Sequence, residues 1–390
     1  MSVGAIHRPM RARAPDEPHR TATPLELLFD LAFVVAVSQA AGRLAHATLD
    51  GHALSATAPF LMVFFAIWWA WMNFTWFASA YDTDDLTYRL AAFVQIGGVL
   101  VLAGGVGRAF DGDLTAVTLG FLIMRFGLIS LWLRAAVQHP RRRRTALRYA
   151  TGISALEVLW VARLALGDHA AVTSFIVLAL LELLVPIWSE RAGSTSWHPH
   201  HIAERYSLFT IILLGEGILA ATNAVVAVLE KAAGANLAIV SATSLVILAA
   251  LWWLCFAISA GDGLKSQRHW SFVWGYGYYI PFAGLAALGA GLEVIVASQA
   301  SGSAHVSSTV AVASVAVPVG IVILVIDLLR APLFSVDPQS LVRGILVAGA
   351  LAAAVAASER LGSTGGLCLV ALTAAVAVLA NSIKPLRSVR

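Results

Sequence analysis

Cysteine and charge are what this chain has least of. Its two cysteines among 390 residues, Cys255 and Cys368, both fall inside apolar runs and supply neither a disulfide framework nor a zinc site. Charged residues make up 12% and hydrophobic residues 59%, roughly half the charge of an ordinary soluble domain. A soluble protein of this length would need far more polar surface. Catalytic signatures are missing as well: there is no phosphate-cradling glycine loop, no nucleophile elbow and no metalloprotease helix. No soluble stretch is large enough to house a cofactor, so the sequence predicts neither an enzyme nor a cofactor or metal carrier. The net charge of +4 is spread over short segments between apolar runs, which argues against a nucleic-acid partner. The first 24 residues are polar and rich in Arg and Pro, without the apolar core a signal peptide requires.

What the chain does have is length in apolar runs. Twelve of them, at 25–45, 54–80, 87–109, 114–138, 146–166, 171–189, 203–230, 237–260, 270–299, 306–330, 340–358 and 362–382, are each long enough to cross a hydrocarbon core of roughly 30 Å as a helix. The predicted fold is therefore all-α, a polytopic transmembrane helix bundle of about 12 spans. Runs 340–358 and 362–382 could instead form one re-entrant pair, so 11 or 13 spans stay open. With the N-terminus in the cytoplasm, 20 of the 26 Lys and Arg fall on the cytoplasmic side and five on the other, and only Arg125 lies within a span. Such a bias orients an inner-membrane protein with both termini cytoplasmic. The run Arg141 to Arg144 reads as topology-fixing charge, or alternatively as a site for anionic lipid or a partner.

The chain also looks internally doubled. Asp30 in the first span, with Arg20 ten residues earlier, matches Glu216 in the seventh, with Arg205 eleven residues earlier. From Asp30 to Trp68-Trp69 is 38 residues, and from Glu216 to Trp252-Trp253 is 36. Asp82 and Asp262 follow the two Trp pairs. The predicted layout is a cytoplasmic segment 1–22, a six-helix repeat 23–189, a linker 190–202, a second six-helix repeat 203–383 in parallel orientation, and a tail 384–390.

Three stretches carry a family resemblance: Pro24-Leu25-Glu26-Leu27-Leu28-Phe29-Asp30-Leu31-Ala32-Phe33-Val34, Tyr81-Asp82-Thr83-Asp84-Asp85, and Glu204 to Glu216. Together they resemble the signatures of the bacterial low-temperature-requirement protein A family, over nearly the whole chain from about Thr23 to the last helix. The resemblance implies a multi-pass bacterial membrane protein linked by name to growth in the cold, and it brings no reaction, substrate or cofactor.

The chemistry has to come from charges placed in the wrong solvent. Seven acids, Glu26, Asp30, Glu157, Glu182, Glu216, Glu293 and Asp327, are read as intramembrane against one arginine, Arg125. An unpaired charge near the bilayer centre costs about 2.5–3.5 kcal/mol even on insertion scales, so these acids must be paired, protonated, cation-bound or near water. The candidate ion, proton or substrate pathway comprises Asp30, Glu216, Glu26, Glu157, Arg125, Arg205, Asp82 and Asp262. Against that stands a structural reading, in which Asp30 and Glu216 are ion-pair partners of Arg20, Arg205 or Arg125. Glu26, Glu182, Glu293 and Asp327 read more simply as helix-end or neutral buried acids. Asp82, Asp84 and Asp85 read as N-caps of the third helix, or as a cytoplasmic gate. Trp68 and Trp69 are too deep for an aromatic belt and are expected to pack inside. His198, His200 and His201 read as a solvated loop before the seventh span. The leading function is a secondary transporter, or proton/cation-coupled permease, of an unidentified small solute. The alternative is a non-transporting membrane protein that organises or senses lipid state in the cold.

Overall fold

A computed structural model describes residues 8–18, 20–166, 171–231, 235–300, 306–334 and 339–382; the expected tail at 384–390 lies outside them. A backbone in hydrocarbon must satisfy its own hydrogen bonds, which leaves helices or closed barrels, and no strand occurs among the described residues. The helices are α1 (Pro24–Leu49), α2 (Ala53–Tyr81), α3 (Leu86–Phe110), α4 (Thr115–Gln138), α5 (Arg143–Arg163), α6 (Ala171–Glu190), α7 (Pro199–Lys231), α8 (Ala235–Phe256), α9 (Ala260–Ser266), α10 (Ser271–Gly277), α11 (Tyr279–Ala300), α12 (Ser308–Arg330) and α13 (Gln339–Ser382).

Among the described residues ten helical stretches are long and apolar enough to cross a bilayer. Two features account for the distance from the expected twelve. The run at 146–166 becomes α5, as long as its neighbours but carrying Arg143, Arg144, Arg148, Glu157 and Arg163, so it falls outside the ten. The runs 340–358 and 362–382 join as α13, broken at Gly362, whose φ of 72° suits glycine because it has no Cβ to clash. A Cβ on Gly366 would stand 2.7 Å from the Ser358 Cβ. In a straight helix those residues would lie about 12 Å apart. The chain therefore doubles back at Gly362.

The chain divides into two compact units. The first takes the described residues to Ala40 and those from Pro59 to Arg205. Here α3 lies against α4, α4 against α5 and α5 against α6. The α3–α4 approach depends on glycine: a Cβ on Gly98 would lie 2.6 Å from the Gly120 carbonyl oxygen. The interior is aromatic. Trp68, Trp69 and Trp71 are fully buried, as expected for the first two, and Trp132 stacks on Tyr149 with centroids 4.1 Å apart. The second unit takes Ala41–Ala58 and the described residues from Tyr206 on, with α11 on α12, α12 on α13 and α8 on α13. Large apolar side chains face outward in both units, among them Phe126, Val158, Leu245 and Leu328. In water such a surface would aggregate; against lipid it costs nothing.

Local chemistry sets several helix ends. Asp85 caps α3, its carboxylate accepting from the Tyr88 N–H at 2.9 Å, so the capping expectation holds for this one of the three acids. Segment 190–202 is partly packed into the fold. Trp197 and His198 are buried, Trp197 meets Trp76 edge-on at 4.9 Å, and α7 already starts at Pro199.

Candidate functional site: two buried charge clusters

The first cluster begins with a capping box. In Thr23-Pro24-Leu25-Glu26 the Thr23 hydroxyl oxygen accepts from the Glu26 N–H at 3.3 Å, and Glu26 Oε2 accepts from the Thr23 N–H at 2.7 Å and hydroxyl at 3.0 Å. Pro24 sits at the first helical position, where its missing N–H is no loss. The cap leaves Glu26 Oε1 facing Arg205 at 3.1 Å, His201 Nε2 at 3.2 Å and Arg20 at 3.6 Å. One turn further along the same face, Asp30 accepts from Arg205 Nε at 3.0 Å and Nη2 at 2.5 Å, and from Trp71 Nε1 at 2.6 Å. Glu26, Asp30, His201 and Arg205 are buried to within about a percent of complete enclosure.

This cluster continues outward as an alternating ladder. Arg20 also reaches Asp82 at 3.5 Å, Arg13 lies 3.4 Å from Asp82, and Arg13 pairs with Glu17 at 2.5 Å. Burial pushes the Asp82 carboxyl up to about 6; Glu26 pushes the same way, while the Arg20 and Arg13 guanidinium groups pull it back. The described part of the N-terminal segment forms the outer rungs and is tied down from Arg8 on. The Arg8 N–H donates to Asp85 at 2.8 Å, the Met10 N–H to Gln138 at 2.6 Å, and the Arg13 N–H to the Ala80 carbonyl at 3.0 Å. Burial raises the Asp85 carboxyl, yet hydrogen bonds from Arg134, Arg8 and Tyr88 overcome it and hold it well below the usual carboxylate range. His198 is engaged on both ring nitrogens: Nδ1 accepts from the His201 N–H at 3.2 Å, and Nε2 faces the Glu17 carbonyl at 3.0 Å.

The second cluster joins α2, α4, α5 and α6. Glu182 Oε2 accepts from Trp69 Nε1 at 2.7 Å and from Arg125 Nη2 at 3.1 Å, and its Oε1 accepts from Trp160 Nε1 at 3.1 Å. The Arg125 guanidinium lies over the Phe121 ring, 4.5 Å from its centroid. Glu157 stands 3.6 Å from Arg125 Nε, and neither of its oxygens has a hydrogen-bond partner.

The sequence expectations divide against this geometry. Glu26, Asp30, Asp82 and Arg205 come together, and Glu157 meets Arg125. Glu216 falls in the second unit, half-buried on α7, with its Cβ 2.8 Å from where a Cβ on Gly289 would sit. The positions matched by the internal doubling have unlike surroundings: Trp68 and Trp69 are buried where Trp252 and Trp253 are about half exposed, and Asp82 is enclosed where Asp262, on the short α9, is exposed. Three partners were placed wrongly. Arg205, counted by sequence among the cytoplasmic-side charges, is fully buried in the second turn of α7. His201 is not in a solvated loop but against Glu26. Glu182 is not a helix-end acid but the most heavily hydrogen-bonded group of its cluster. The Thr-x-x-Glu capping box was a sequence signal that could have located the start of the first cluster; the indole partners, Trp69, Trp71 and Trp160, left none.

Ten apolar helical stretches, outward-facing aliphatic side chains and charges hidden in enclosed clusters define a multi-pass helical membrane protein. The chain belongs to the family described as bacterial low temperature requirement A protein (LtrA), whose model matches residues 21–379. It is also 28% identical over 276 residues to a Rhizobium meliloti (strain 1021) protein named Uncharacterized protein RA0937, a match covering 66% of this chain and 65% of that protein. The chain thus spans just under two thirds of that relative's length.

Proposed function

We propose that the chain is a proton- or cation-coupled permease for a small solute, set in the bacterial inner membrane with both termini cytoplasmic. The observation that carries this reading is the surplus of buried carboxylate. Arg125 faces two acids, Glu157 and Glu182. In the other ladder the enclosed Arg20 and Arg205 face three enclosed acids, Asp82, Glu26 and Asp30, with the part-exposed Arg13 also on Asp82 and His201 against Glu26. A buried site that cannot neutralise itself takes up a proton or a cation, which is the elementary act of a coupled carrier. Twelve crossings suit this topology: the ten apolar stretches, α5, and α13 counted twice because it doubles back at Gly362. The exposed Arg141 just before α5 and the exposed Arg143 and Arg144 in its first turn then serve as cytoplasmic anchoring charge. Lipid and one small solute or ion are the partners, and no catalysis or resident cofactor is required.

Purified protein in proteoliposomes, challenged with a broad set of small solutes with and without an imposed pH gradient, tests this directly. The expected result is gradient-dependent accumulation of at least one solute class; no accumulation and no dissipation of the gradient across the survey would reject it. The second reading, a non-transporting protein that organises or senses lipid, draws support from a cavity of about 340 Å³ in the second unit. It lies between α12 and the two arms of α13, lined by Ile323, Leu346, Val347, Leu372 and Val376 among others. That reading expects no solute flux in any condition.

A further inference from the structure

The two acids beside Arg125 are unlike each other. Glu182 takes three donors, from two indoles and a guanidinium. Glu157 takes none. It is 4% exposed, and the ionisable groups facing it are Arg125 from α4 at 3.6 Å and, beyond that guanidinium, Glu182 from α6. One guanidinium positive charge matches one carboxylate, and Glu182 holds it in the better geometry. A second ionised carboxylate would leave the enclosed cluster with a net negative charge and two oxygens stripped of water, an arrangement that costs several kcal/mol.

We infer that Glu157 is a proton-binding site: its carboxyl is neutral at rest, Glu182 is the permanent counter-ion of Arg125, and the reversible proton of this cluster resides on Glu157. The cargo of the site is a proton and not a metal ion. Hard cations need about six oxygen ligands, the guanidinium repels a cation from the place where Glu157 would hold it, and no cluster of three metal-ligating side chains occurs among the described residues. Release is the reverse step: the O–H bond of Glu157 breaks, the proton leaves to water or solute, and the carboxylate formed closes the last 3.6 Å onto Arg125. That the proton is coupled to solute movement rests on the permease reading; that Glu157 carries one does not.

Infrared spectroscopy of the full-length protein in nanodiscs tests the assignment without transport. The C=O stretch of a protonated carboxyl is expected at neutral pH in wild type and lost in Glu157→Gln; in Glu182→Gln, where Glu157 is left as the one carboxylate beside Arg125, the band is expected to fall as Glu157 ionises. Melting supplies the second readout. Glu157→Gln replaces a neutral acid with a neutral amide of the same volume and should melt with wild type, whereas Glu182→Gln should melt well below it. A band that survives Glu157→Gln overturns the assignment, and so does a Glu157→Gln protein that fails to fold or melts as low as Glu182→Gln. In proteoliposomes, loss of the band together with unchanged gradient-driven flux would overturn the coupling role. A band lost as expected in a protein showing no flux at all would overturn the permease reading and leave the proton site standing.

Discussion

The substitution Asp30→Asn asks whether the first cluster is a scaffold or a carrier. Asp30 binds Arg205 through two of its N–H groups and accepts from Trp71, all in full enclosure. Removing one partner of a buried ion pair costs about 3–5 kcal/mol, because the other charge stays buried and uncompensated. Two features place Asp30→Asn at the low end. The amide keeps an oxygen able to accept from the indole, and Arg205 retains Glu26 at 3.1 Å. The expected loss is therefore about 3 kcal/mol, or about 6 °C at about 2 °C per kcal/mol for a long chain. Arg205→Gln should cost more, since it strands two carboxylates at once, although His201 at 3.2 Å and Arg20 at 3.6 Å still face Glu26. The double variant should be less unstable than the sum of the singles, by an interaction of roughly 1–3 kcal/mol. Tryptophan-fluorescence melting of the four detergent-purified proteins at neutral pH measures all of this. If Asp30→Asn and Arg205→Gln both melt with wild type, the pair does not hold the helices together, and the carrier role assigned to Asp30 on sequence grounds returns.

Asp82 gives a pH dependence with a definite sign. Its carboxyl sits at about 6 in the fold against an unfolded value of about 3.9, so the folded state holds the extra proton. The contribution of this group to stability is fully present below about pH 4 and lost as pH rises to about 6, by at most about 3 kcal/mol; Asp82→Asn should flatten that part of a melting-versus-pH curve, and an unchanged slope would show that Asp82 titrates normally. Gly98→Ala would place a methyl 2.6 Å from the Gly120 carbonyl oxygen and 2.8 Å from the Met124 backbone nitrogen. It should cost roughly 1–3 kcal/mol by overpacking, whereas Gly97→Ala, which meets open space, should be close to neutral; equal melts for the two would contradict the tight α3–α4 approach. A cysteine at the exposed Arg143 should resist membrane-impermeant maleimide in intact cells and react after lysis, and labelling from outside would invert the proposed topology.

The sequence by itself determined the solvent and the backbone solution to it. Runs such as 87–109 and 114–138 carry so few charges that only hydrocarbon or a protein interior can receive them, and in hydrocarbon the helix follows from the need to satisfy every N–H and C=O. The membership of the first cluster was half visible, because Glu26 and Asp30 are one turn apart on one face and Arg205 was already a named alternative partner. Which alternative holds was a tertiary matter: residues 175 apart in sequence, Asp30 and Arg205, meet only because α1 and the start of α7 are folded into the same unit. Counting charges over the spans missed this, since Arg205 looks terminal by position yet is buried within the second turn of its helix. The sequence set Glu157 in the pathway and Glu182 among the helix-end or neutral acids, but the donors that hold Glu182 were invisible for the same reason. Each is the one acid of its run, 146–166 or 171–189, and what separates them in the fold is two indole N–H groups, from Trp69 and Trp160, supplied by the packing of α2 and α5. Periodicity records which residues leave water; only the fold decides which donors wait for them there.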